Sequence, residues 1–396
     1  MFSLVEVTDR EKEKAFIELP VKLYKNHPYW VRPLDNDIRN VFNKDKNPCF
    51  KEGGECCRWL LADETGTYIG RVAAFINKKT DSLDKYKVGQ MGFFECIDNQ
   101  EAAFKLFDQC KMWLEQRGME AMEGPVNFGE RIEWWGLLVE GYKENPVYGM
   151  PYTHDYYVKF FDTYGFRDFF KQFAYRTHLV MESLSKIVVW KADRILKNPD
   201  YRVQTYGDVG KEKAIEALLA VYNKAWNLEV HGVDGITREQ VEAIYKSLQP
   251  IIDKDLIYFA FYKEQPIGFF LMFPELNQVV KHLNGKMNLF GKLKFMYYLK
   301  ARKIDVALGQ LFGVVPEFQG KGVEAAMIKR FTECIIEKGR EYKYLELNWV
   351  GDFNPPMIHL MDYIGAKVVR TYVTYRKLFR DDIEFVRSAD KMQNID

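Results

Sequence analysis

Leu311-Phe312-Gly313-Val314-Val315-Pro316-Glu317-Phe318-Gln319-Gly320-Lys321-Gly322-Val323-Glu324-Ala325-Ala326 is the stretch that decides the fold. It predicts a long strand ending at Val314-Val315-Pro316, a turn rich in glycine, and a helix from Val323 to Gly339, with glycine in the usual terminating position. A turn of this kind leaves backbone N–H groups unpaired at the positive end of a helix, which suits a diphosphate. Glycine lets the backbone approach such a ligand without a Cβ. The same turn also serves ordinary strand-to-helix geometry, so its surroundings have to choose between the two.

Downstream the chain predicts the strand Tyr342 to Trp349, a helix within Asn354 to Ala366, and a strand running through Tyr375. Upstream, Leu256 to Phe261 and Pro266 to Leu271 read as a hairpin around Lys263-Glu264-Gln265. The same hairpin occurs earlier, in Arg58 to Asp63 and Tyr68 to Phe75 around Glu64-Thr65-Gly66. Ile69-Gly70 is repeated at Ile267-Gly268, an offset of 198 residues. Gly165-Phe166 and Ala174-Tyr175-Arg176 return at an offset of 200 as Gly365-Ala366 and Thr374-Tyr375-Arg376. The helix from Gln100 to Gly118 corresponds to the one ending at Gly339, at an offset of 221 to 223. The second half therefore carries an insertion before its helix, Pro274 to Lys303, and the first half one after it, Gly124 to Thr153. A duplicated unit in 396 residues predicts two domains, 1–180 and 201–380, with a connecting helix in 181–200 and a charged tail over 381–396.

Charged residues are 29% of the chain and the formal net charge is +1, so the whole-molecule field selects no partner. The six cysteines show no CxxC spacing and the six histidines no HxxxH or HxH, which predicts reduced thiols and no metal site. Met1 to Glu6 runs into charged residues and no run of 18 apolar residues follows, so a cytoplasmic protein without a membrane span is expected. Basic residues gather in one apolar-rich segment without a recognition motif, and nucleic acid is not an expected partner. In Lys281 to Lys303 seven lysines and arginines are interleaved with Met287, Leu289, Phe290, Leu293, Phe295, Met296, Tyr297, Tyr298 and Leu299, without an acid. Such a segment can lie on the inner face of an anionic membrane or gate a lipid chain, or be an ordinary packed helix with its lysines in water.

The succession of strand, Gln319-Gly320-Lys321-Gly322, helix, strand and Asn354 helix resembles the GNAT superfamily of acyltransferases. The resemblance implies an α/β (α+β) fold of two GNAT-like domains, each a central mixed sheet flanked by helices. It implies acetyl-CoA or a longer acyl-CoA as co-substrate, held by Val314, Gln319, Gly320, Lys321, Gly322, Val323 and Asn354. Glu324 stands where the family has glycine or alanine and puts a carboxylate near the diphosphate. The family's usual tyrosine acid corresponds to Met361, which cannot donate a proton. That acid is absent unless Tyr363 or another residue substitutes; two positions along the helix, Tyr363 should face elsewhere, as a packed core tyrosine would. Acyl transfer to an amine needs a base for the ammonium proton. Alternation on Tyr344 to Trp349 puts Tyr344, Glu346 and Asn348 on one face. Glu346 is the candidate base, with Asn348 beside it; a hydrogen-bonded strand carboxylate is the alternative.

In the first half, Glu95-Cys96-Ile97-Asp98-Asn99-Gln100-Glu101 replaces the glycine loop with acids and no glycine, so that half reads as a degenerate GNAT-like domain. At full length, on Asn47-Pro48, Ile69-Gly70-Arg71, Gly124 to Phe128, Leu283-Asn284-Gly285 and Val314 to Gln319, the chain is similar to a bacterial family of tandem GNAT-like proteins. Some relatives in that group are ceramide synthases, which join a long-chain acyl-CoA to a sphingoid amine. The expected activity is acyl-CoA-dependent N-acylation of a primary amine. A lipid, sphingoid-type amine as acceptor and a catalytically inactive binding protein are the alternatives.

Overall fold

A computed structural model describes residues 2–77, 85–129, 131, 133–225, 235–301 and 304–393. Both hairpins form. β2 (Glu55–Ala62) and β3 (Tyr68–Ile76) follow the short edge strand β1 (Ser3–Glu6). Asp63 closes their turn by accepting the N–H groups of Thr65 and Thr67, with Gly66 at φ 82°. β4 (Val88–Cys96), β5 (Ala121–Gly124), β6 (Leu137–Glu140) and β7 (Arg167–His178) complete the first half. The second half repeats this pattern in β8 (Tyr201–Thr205), β9 (Ile257–Tyr262), β10 (Gln265–Pro274), β11 (Val306–Val314), β12 (Tyr344–Gly351) and β13 (Lys367–Leu378).

Among the described residues the strands form one sheet, ordered β1-β2-β3-β4-β5-β13-β7-β12-β11-β10-β9-β8, with β6 pairing β13 beside that path. The two halves exchange their last strands. β7 leaves the first half to pair with β12, and β13 leaves the second to pair with β5. β7 and β13 meet antiparallel at the centre, with Arg176 opposite Lys367 and Arg167 opposite Arg376. The sequence offset of 200 carries each of these pairs onto the other, so the duplication is expressed as a pseudo-twofold axis between β7 and β13. The cores follow the exchange. Tyr175 and Leu179 pack into the second half's core, while Val373 and Tyr375 pack into the first half's. The stretches 1–180 and 201–380 are thus repeats in sequence, and neither closes its sheet alone.

The two insertions meet across this centre. Tyr148 N–H donates to Glu275 at 2.8 Å, and the Asn277 amide donates to the Pro146 carbonyl at 2.8 Å. Glu130, Ile132, Arg302 and Lys303, which belong to these insertions, lie outside the described residues. The connecting segment forms the helix Lys186–Leu196, capped by the Ser185 hydroxyl, and it packs against the helix Val323–Glu337.

Candidate active site

β11 and β12 pair in parallel only from Val306↔Tyr344 to Gly309↔Leu347. Beyond that both strands lose register with their other neighbours. β10 skips one residue of β11, with Leu271 opposite Leu311 and Met272 opposite Gly309, so Gln310 bulges. β12 slips against β7 between Leu347 and Val350. A bulge bends a strand and raises its twist, and two bulges at one level split the pair into a wedge. A cleft of about 550 Å³ lies along the freed end of β11, lined by Phe312 and Val314, by Gln319, Gly320, Gly322, Glu324 and Ala325, and by Asn354, Leu360 and Tyr363.

The loop at the mouth of the cleft is strapped to the strand end by the Gln319 side chain, whose amide donates to the Val314 carbonyl at 3.0 Å. Gly320 (φ 69°) and Gly322 (φ 104°) are left-handed, which a side chain would disfavour. Val323 then opens the helix, and the Gly322 carbonyl accepts from Ala326. Among the described residues no protein group accepts from the amides of Val323, Glu324 or Ala325, so they are available to an anion at the positive end of the helix. Glu324 takes one loop amide: its Oε1 accepts the Gly320 N–H at 3.2 Å. Lys321 presents its carbonyl to Arg194 Nη2 at 2.9 Å and its ammonium to the Phe318 ring.

Asn354 caps the helix Pro355–Tyr363 through Met357 N–H and lines the cleft. Met361 is buried in the core. Tyr363, expected to face away, is 43% exposed and lines the cleft. Two positions along a helix turn a side chain by about 200°; the side opposite the core is here the gap facing helix Lys186–Leu196, so turning away from Met361 brings Tyr363 into the cleft. Lys191 of that connecting helix lies over the Tyr363 ring at 5.9 Å. A Cβ on Gly322 would stand 3.2 Å from Lys191, so loop and connecting helix are in contact. Sequence reasoning missed this wall of Ile187, Val188 and Lys191, and it missed His359, which also lines the cleft.

Glu346 lies elsewhere. It is 1% exposed, and its carboxylate is held by Arg370 and by Arg176, whose Nη2 stands at 2.9 Å. It faces a separate polar cavity of about 460 Å³ between the insertions, with Glu144, Arg176 and Tyr344. Each of its oxygens is set against a guanidinium group, as in a hydrogen-bonded strand carboxylate. Asn348 sits where the strands part, its side chain turned back to accept the Trp349 N–H at 3.1 Å. Trp349 in turn donates its indole N–H to the Arg131 carbonyl, tying the first insertion to β12.

The corresponding wedge of the first half is closed. Val126 N–H donates to the Met91 carbonyl, and a Cβ on Gly92 would lie 1.8 Å from the Val126 oxygen. The turn after β4 is capped by Asn99, and the preceding Glu95 is buried, accepting from Tyr24 and Tyr157 hydroxyls at 2.9 Å each. Burial pushes the Glu95 carboxyl up to about 7, against the pull of Arg71 and the two phenols.

A duplicated unit with a splayed parallel pair, a glycine loop leading into a helix, and exchanged final strands can be compared with solved proteins. A tandem GNAT protein from the clavulanic acid biosynthesis pathway superposes with a TM-score of 0.55 at 10% identity, covering 97% of this chain and 100% of that one. The chain has the tandem GNAT fold. No family model matches it. In sequence this chain is similar to the bacterial ceramide synthase of Caulobacter vibrioides (strain NA1000 / CB15N), with 26% identity over 381 residues, 95% of this chain and 97% of that protein. It is similar in the same degree to protein YghO of Escherichia coli (strain K12), with 26% identity over 371 residues and 92% of each chain. Among the described residues no helix is long and apolar enough to cross a membrane, and no group of three or more metal-ligating side chains is assembled.

Proposed function

We propose that this protein is an acyl-CoA-dependent N-acyltransferase whose donor site is the β11/β12 cleft. One observation carries the reading: the wedge ends at helix amides without protein acceptors, at a loop whose two left-handed glycines keep side chains away. An acyl-CoA diphosphate would sit on the amides of Val323, Glu324 and Ala325, with Lys191 and Lys321 as nearby cations. Its pantetheine arm would follow the unpaired edge of β11 up to Val314, near Asn354. In the cleft, His359 and Tyr363 are groups that could move a proton: the imidazole can accept the ammonium proton, while the phenol can return one to the departing thiolate. The Glu324 carboxylate is the feature that fits a diphosphate least well.

The finer reading is that the donor is long-chain and the acceptor a lipid, sphingoid-type amine. It is supported by the similarity to the Caulobacter ceramide synthase over nearly the whole chain and by the apolar cleft wall of Ile187, Val188, Phe312 and Leu360. The test is equilibrium binding and single-turnover transfer over a series of acyl-CoA lengths, offered with a short alkylamine and with sphinganine. Gly322→Trp blocks the loop and Lys191→Glu reverses the neighbouring charge without adding bulk. Transfer that rises with chain length and prefers sphinganine supports the finer reading. Transfer of acetyl to the short amine supports the broader one alone. No binding of any acyl-CoA would leave a protein that uses the fold for another ligand.

A further inference from the structure

An ordinary surface helix has one apolar face, turned to the core. The helix Leu289–Ala301, inside the second insertion, has two. Phe295, Tyr298 and Leu299 pack inward against the second half's core and Gly291 on the same side is buried, so the inner face is seated on the protein. The outer face is also apolar: Leu289 is 71% exposed, Phe290 75%, Leu293 62% and Tyr297 65%, with Met296 beside them. At about 100° per residue these five side chains fall within an arc of roughly 120°. Lys292 and Lys294 stand about 40° beyond its two edges, and Lys300 continues the stripe at its end. From Lys281 to Ala301 there is no acidic residue, on a chain whose charges otherwise nearly cancel. Placing so many large apolar groups in water is costly unless something covers them. Apolar side chains that can enter an acyl layer, bordered by ammonium groups that can remain among phosphates, fit one kind of partner.

We propose that the outer face of helix Leu289–Ala301 docks this protein on an anionic phospholipid bilayer. The helix lies flat, its stripe at the level of the first acyl carbons, with Lys292, Lys294 and Lys300 among the headgroup phosphates. The partner is committed by charge: a second copy of this chain would set the same lysines against each other, whereas an anionic bilayer meets all of them favourably. The docking needs neither a bound thioester nor turnover, so it stands or falls independently of the acyl-transfer reading.

The test is co-sedimentation of the full chain with large vesicles of phosphatidylcholine containing about one third phosphatidylglycerol, and with vesicles of phosphatidylcholine alone. Two variants change only exposed atoms: F290S with L293S, and K292Q with K294Q and K300Q. The expected result is binding to the anionic vesicles that weakens with salt. It falls on the order of 100-fold in the lysine variant, at roughly five-fold per lysine, and it is lost in the serine variant. Both variants keep the wild-type circular dichroism and melting behaviour, which separates lost docking from lost fold. The proposal is overturned if the wild type ignores anionic vesicles, if the lysine variant binds them equally well, or if light scattering shows a dimer that the serine variant abolishes while vesicle binding is absent.

Discussion

Glu324 is the residue on which the donor site can be tested most sharply. Its carboxylate accepts the Gly320 N–H at 3.2 Å, at the rim of the cleft where the diphosphate of an acyl-CoA would settle. In Glu324→Gln the acceptor remains and the charge goes. At ~5 Å in water each unit charge on the diphosphate is repelled by about 0.8 kcal/mol, so for a doubly charged group the variant gains roughly 1 to 1.5 kcal/mol at low salt. That is a five- to ten-fold tighter Kd for CoA. Glu324→Ala also releases the Gly320 amide, whose exposed bond is worth about 0.5 to 1.5 kcal/mol, and should bind at least as tightly as the glutamine variant. Isothermal titration with CoA over a salt series is the assay, with pantetheine as the ligand that lacks phosphate. The gain should shrink as salt screens it and should be absent for pantetheine. CoA binding that is unchanged or weaker in both variants would refute the reasoning, because the carboxylate would then be organising the loop and the diphosphate would lie elsewhere.

Other expectations follow from the same geometry. Tyr363→Phe should lower single-turnover transfer by about ten- to a hundred-fold with little change in acyl-CoA affinity, as removal of a proton donor does; an equal loss of affinity would mark the hydroxyl as a binding group. Arg370→Met leaves Glu346 with Arg176 alone in a buried site and should cost about 3 to 5 kcal/mol in urea unfolding, whereas Glu346→Gln should leave the pH profile of transfer unmoved. Glu95 carries a pH signature in stability. Its folded value of about 7 lies above the ordinary carboxyl value, so its contribution is fully present below about pH 4.5 and is lost as pH rises through 7. The wild type should therefore lose stability relative to Glu95→Gln between those limits and run parallel to it above them; a constant difference across that range would refute the buried-carboxyl assignment.

Much of the fold was legible because its signals are local. The hairpins declare themselves through apolar runs bounded by Asp63 to Gly66 and by Lys263 to Gln265, and the helix after Gly322 through its glycine start and glycine stop. Duplication was legible as well, since Gly165-Phe166 and Gly365-Ala366 sit at one shift. The loop of the candidate site could be read from Gln319 to Gly322 because glycine is required by backbone geometry, which a sequence records. Tyr363 and Glu346 were harder. Strand alternation gave Glu346 its face of β12, but what lies on that face comes from other strands: Arg176 from β7, 170 residues away, and Arg370 from β13 beyond the intervening helix.

By itself the amino-acid sequence determined two copies of one strand and helix order, a glycine loop in the second copy alone, and an insertion dense in lysine and apolar side chains. Tertiary structure alone decided that the copies exchange their last strands, that the connecting helix walls the cleft through Lys191, and that one apolar face of Leu289–Ala301 stays uncovered. Local propensity and periodicity act over a few residues and are written in order along the chain. Which strand completes which sheet depends on the total surface buried once both halves are present, and no single stretch of sequence carries that sum.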